Sequence, residues 1–136
     1  MDEKKERQLM RYQNFFQILD EWMTLKENGC DIDNILYDAG YRRIAIYGMG
    51  RLCRHICRAL TDSKVEVVYV IDEKPVELYG NFQVFGLDYD FEEVDAVICT
   101  DDGNVNSLNK IRNRLSSRII SLADVVFDNV PERNDR

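Results

Sequence analysis

Gly48-Met49-Gly50-Arg51-Leu52-Cys53 is the stretch whose residue types and spacing can do chemistry. It follows a short apolar run and opens a segment with helical spacing, the setting in which a glycine-rich turn cradles phosphate. The first glycine permits the tight turn. The second lets backbone approach a pyrophosphate, whose charge the helix N-terminus then stabilises. The third position of such a fingerprint is Gly or Ala, for close helix–strand packing; here it is Cys53. Asp72 stands about 20 residues beyond Gly50, near the spacing at which an acid accepts hydrogen bonds from a ribose. The plain alternative is that Gly48 and Gly50 only turn the chain, while Asp72 caps the loop Asp72-Glu73-Lys74-Pro75.

A second group, Thr100-Asp101-Asp102-Gly103-Asn104, follows a later apolar run. It could contact a base, sugar or amine across a cleft. It also suits helix initiation, with Asp101 or Asp102 as N-cap near the positive helix end. Arg51, nearest the glycine turn, could pair with a ligand phosphate. With Arg54, His55 and Arg58 it equally makes a solvated helix face opposite Leu52, Ile56 and Leu60. The single His has no neighbour that suggests a triad or metal site. No Ser-centred elbow, Walker loop or HExxH occurs, and nothing marks a catalytic acid, base or nucleophile. Cys30, Cys53, Cys57 and Cys99 lack the C-x-x-C pairing of zinc or redox sites, so they are expected to be reduced structural thiols.

These residues need elements to hold them. A helix is expected over about Glu6–Asn28, with a broad stripe that includes Phe15, Phe16, Leu19, Trp22 and Met23. A shorter one is expected over Asp33–Asp38. Strands are expected at Arg43–Tyr47, Val65–Ile71, Asn81–Phe85, Val94–Thr100 and Arg118–Ser121. Helices fit Arg51–Leu60, Asn104–Leu115 and Leu122–Phe127. Strands alternating with helices predict an α/β, Rossmann-like three-layer fold with a mostly parallel five-stranded sheet. The expected order is 3-2-1-4-5, with ligands where it reverses, between the first and fourth strands. Glu73–Gly80 is too short for a helical crossover, which leaves the direction of the third strand open. The expected organisation is an N-terminal helical segment over 1–40, the nucleotide-binding unit over 41–130 and a frayed tail over 131–136.

The chain has 136 residues, 45% hydrophobic and 32% charged, which is ordinary for one soluble domain. Its net charge of −7 argues against nucleic acid and anionic membranes as partners. No run is long and apolar enough for a membrane span, and the first residues do not resemble a signal peptide, so a cytoplasmic location is expected.

Taken together, Ile44-Ala45-Ile46-Tyr47-Gly48-Met49-Gly50, Val67-Val68-Tyr69-Val70-Ile71-Asp72, Val94-Asp95-Ala96-Val97-Ile98 and Ile119-Ile120-Ser121-Leu122-Ala123-Asp124-Val125 form a pattern. The pattern resembles small bacterial Rossmann-like domains that occur alone or fused to glycosyltransferases and sugar-modifying enzymes in surface-polysaccharide clusters. The resemblance spans roughly residues 15–127. It implies a module for a nucleotide, nucleotide-sugar or NAD(P)-like ligand, often without chemistry of its own, with Gly48, Gly50 and Asp72 as binding positions. It also implies a glycosyltransferase as a partner. Two other readings fit the residues. One is an interaction protein that kept the fold and dimerises through its aromatic first helix. The other is a small NAD(P)- or S-adenosylmethionine-dependent enzyme.

Overall fold

A computed structural model describes residues 2–48, 50–74, 78–79, 82–100 and 105–128. The elements in chain order are α1 (Glu3–Glu27), α2 (Ile32–Asp38), β1 (Arg43–Tyr47), α3 (Arg51–Leu60), β2 (Glu66–Ile71), β3 (Leu78–Tyr79), β4 (Phe82–Phe85), β5 (Ala96–Cys99), α4 (Val105–Arg114), β6 (Arg118–Ser121) and α5 (Leu122–Asp128). Five strands form a parallel sheet in the order β4-β2-β1-β5-β6. This is the expected 3-2-1-4-5 arrangement, with the direction of the third strand now fixed as parallel.

The short connection after β2 has a physical explanation. β4 pairs only with the end of β2, through Val70↔Val84 and Ile71↔Phe85. The chain therefore retraces only a few residues before entering β4, a distance of roughly 13 Å at about 3.3 Å per residue. Among the described residues of this connection there is no helix. The two-residue β3 runs antiparallel along the outer edge of β4, with Leu78↔Gln83 and Tyr79↔Phe82. Among the described residues, this small edge strand is the one element absent from the sequence-based expectation.

Alternation along β1 divides the core. Ile44 and Ile46 point to the face covered by α1, α2, α3 and α5, while Ala45 and Tyr47 point to the α4 side. β5 does the same, with Ala96 and Ile98 against Val97 and Cys99. In β2 a register shift between Ile44 and Ala45 inserts Val68 as an extra residue, so Val67 and Val70 share a face. Asp95 fixes the entry to β1: its Oδ2 accepts the backbone N–H groups of Arg42 and Arg43 at 2.8 and 2.9 Å.

The first helix divides lengthwise as well. Its 25 residues extend about 37 Å at 1.5 Å per residue, whereas strands of four to six residues span roughly 13–20 Å. The sheet can therefore cover only one half of α1. Ile18 and Leu25 are buried against the domain, with Phe15 and Trp22 beside them. Leu9, Met10, Tyr12, Phe16 and Met23 remain exposed. No helix among the described residues is long and apolar enough to cross a membrane.

Candidate functional site

Register brings the sequence-predicted positions together. Tyr47 of β1 pairs with Ile71 of β2 and Cys99 of β5. Gly48, Asp72 and Thr100 are the next residue in each case, so all three lie at the carboxyl edge of the sheet, where the strand order reverses. This is where open α/β sheets bind ligands.

Gly48 adopts φ 99°, a left-handed conformation that disfavours any residue with a Cβ. Its N–H donates to the Ile71 carbonyl at 2.9 Å. Its own carbonyl accepts the Thr100 hydroxyl at 3.1 Å, and the same hydroxyl donates to the Tyr47 carbonyl at 2.9 Å. The Thr100 N–H also reaches the Tyr47 carbonyl, at 3.0 Å. Thr100 is buried, and its one hydroxyl proton is shared between two carbonyls. It holds the glycine turn in place from the neighbouring strand.

Gly50 differs from Gly48. As the N-cap of α3 it has φ −91° and ψ −161°, extended backbone open to any residue. A Cβ built there would meet none of the described residues within 4 Å. Neither this conformation nor the described neighbours require a glycine at this position. α3 has no side-chain cap hydrogen bond and no acidic residue in its first turn. Its positive end is therefore not neutralised by a carboxylate of its own first turn. Arg51, the first helical residue, is exposed at the same end.

Cys53, at the third fingerprint position, is completely buried. Its Sγ lies 4.0 Å from that of Cys57, one helical turn on. The contact with Cys57 and burial both push the Cys53 thiol up, and the Asp72 carboxylate adds in the same direction. A neutral thiol thus fills the space that Gly or Ala would leave between helix and sheet.

Asp72 is half-buried, and its Oδ1 accepts the Lys74 N–H at 2.9 Å, so it does cap its loop. Its own N–H donates to the Phe85 carbonyl at 3.0 Å. Glu73 was not anticipated: its Oε1 accepts the Tyr47 hydroxyl at 2.8 Å. Two consecutive carboxylates therefore stand at the end of β2. Beside them an open depression of ≈ 550 Å³ is lined by Glu73, Gly86, Leu87, Asp88, Tyr89 and Lys110. Tyr89 stacks on Phe85 there, with ring centroids 3.8 Å apart. Met49, Asp101, Asp102, Gly103 and Asn104 fall outside the described residues, as does the tail over 131–136.

His55 does not join this edge. It meets Trp22 of α1 edge-to-face, with centroids 6.4 Å apart, in a separate groove of ≈ 580 Å³. Burial, and then the charges of Arg54 and Arg58, lower its pKa below the usual imidazole value. Among the described residues no group of three or more His, Cys, Asp or Glu is placed to hold a metal ion. No protein-family model, no curated protein and no solved structure matches the chain.

Proposed function

We propose that the carboxyl edge of the sheet binds the phosphate-bearing part of a nucleotide-type ligand, a nucleotide-sugar or an NAD(P)-like molecule, and that the chain serves as a binding module. The observation that carries this reading is Gly50. Neither its backbone conformation nor packing against the described residues calls for a glycine there, yet a Cβ would meet none of them over the positive end of α3. A pyrophosphate fits that chemistry, with Arg51 as a counter-charge. Asp72, adjacent in register to Gly48, suits a ribose hydroxyl as donor. A place beside glycosyltransferases in surface-polysaccharide synthesis belongs to the same proposal.

The test is thermal denaturation with NAD, NADP, UDP-sugars and S-adenosylmethionine added separately. A ligand at 100 times its dissociation constant adds about 2.7 kcal/mol, a rise of roughly 10 °C for a domain of this size. A shift with one of the first three is expected. A shift with S-adenosylmethionine alone would favour a methyl-transfer enzyme, and no shift with any would overturn the proposal.

A further inference from the structure

The outer face of α1 carries a second apolar pattern. Leu9, Tyr12, Phe16, Leu19 and Met23 follow one another at alternating steps of three and four residues, the spacing of a coiled-coil seam. Phe16 is 69% exposed, Tyr12 62%, Met23 58% and Leu9 49%. Within its own fold the helix uses only Leu19 of this seam, which packs partly against the core. The seam turned inward is Phe15, Ile18, Trp22 and Leu25, about 100° round the helix. At its C-terminal end the outer seam runs into the groove beside His55, which Leu19 and Met23 line together with Ile32 of α2 and Ala59 of α3.

Charge along α1 says what covers the seam. Through Arg11 the helix carries Lys4, Lys5, Arg7 and Arg11 against Glu3 and Glu6. Its later half carries Asp20, Glu21 and Glu27 against Lys26, and Asp31 and Asp33 follow on the groove wall. A parallel pair of such helices sets like charge beside like. An antiparallel pair sets the basic half of each against the acidic half of the other and opposes the two helix dipoles. The seam also runs to where the domain offers a groove, so an arriving N-terminal half finds apolar cover on both sides. Lys26 and Arg58 on the groove wall face its Glu3 and Glu6 end.

We propose that α1 pairs antiparallel with α1 of a second copy of this chain, the N-terminal half of each helix seated along the partner's outer seam and groove. The result is an isologous two-fold dimer. The proposal rests on α1 and the groove beside it and is independent of the ligand reading.

Sedimentation equilibrium of the full chain tests it, with a dimer expected at about 100 µM. Tyr12→Glu with Phe16→Glu should weaken association about 100-fold or more. One charge variant carries Arg7→Glu and Arg11→Glu; another carries Asp20→Lys and Glu27→Lys. Each alone should be monomeric, and an equimolar mixture should dimerise, which shows that both variants are folded. In a Cys30→Ser background, Gln8→Cys should not cross-link to itself, because the two positions stand about 24 Å apart in an antiparallel pair. A monomeric parent chain, charge variants as dimeric as the parent, a mixture that stays monomeric, or rapid self-cross-linking of Gln8→Cys would each overturn the proposal.

Discussion

The Thr100 hydroxyl lies 3.1 Å from the carbonyl oxygen of Gly48, and so ties the end of β5 to the first residue beyond β1. Replacement by the near-isosteric Val removes this bond and the hydroxyl bond to Tyr47; the Tyr47 carbonyl keeps the Thr100 N–H, while the half-buried Gly48 carbonyl loses its Thr100 donor. A loss of about 1–2 kcal/mol is expected. Thr100→Ser keeps the hydroxyl and should retain most of that stability. Urea unfolding of both variants checks this, with an unchanged dependence on denaturant showing that the folded state is preserved.

The two glycines of the turn should separate fold from ligand. Gly48→Ala places a Cβ at φ 99° and should destabilise the chain by about 1–2 kcal/mol. Gly50→Ala puts its methyl clear of the described residues on permitted backbone, so stability should fall only by the weaker N-capping of Ala, about 0.5–1 kcal/mol. The same methyl would stand where phosphate approaches. Affinity for whichever nucleotide stabilises the parent should fall about tenfold or more. Full binding by Gly50→Ala would sink the reading of the turn as a phosphate cradle.

Why some of this was legible before the structure follows from locality. Gly48, Asp72 and Thr100 each end a strand, and parallel pairing of such strands brings their ends together whatever the rest of the chain does. The strand order followed from the same alternation. Glu73 could not be found this way, because its bond to Tyr47 depends on how the loop after β2 turns. Leu78–Tyr79 is too short for any periodicity, and it is defined only by its pairing with Gln83 and Phe82 of β4. The broad stripe of α1 was visible as excess apolar surface. Its division into an inner and an outer seam was not, since that depends on how far a sheet of short strands reaches along a long helix.

Asp95 offers a pH test of the β1 anchor. The N–H groups of Arg43 and Arg42 hold its carboxyl below the usual carboxylate range. A depressed folded value means stability that is complete above the unfolded value of 3.8 and is lost as pH falls through the folded one. The side chain is largely in water, so the effect is modest. Asp95→Asn should cost about 1 kcal/mol near pH 7. Once acid takes the pH below the depressed folded value, the parent loses the same charge, and the gap should close. Urea unfolding of the two chains at both pH values decides; a gap that persists in acid would assign the effect to shape rather than charge.

The four thiols should differ sharply in reactivity. Cys53 is fully buried, and contact with Cys57 together with burial pushes its thiol up, away from the reactive thiolate. Cys57 and Cys99 are buried as well, while Cys30 is half-buried on the groove wall. Iodoacetamide on the folded chain at about pH 8 should give one adduct, mapped by mass spectrometry to Cys30, and four adducts in urea. Because Cys30 lines the groove that the second copy's helix is proposed to enter, its rate of labelling should also fall as protein concentration rises. The Tyr12→Glu and Phe16→Glu double variant should lose that dependence. Rapid native labelling of Cys53 would show that α3 opens from the sheet far more readily than its packing implies.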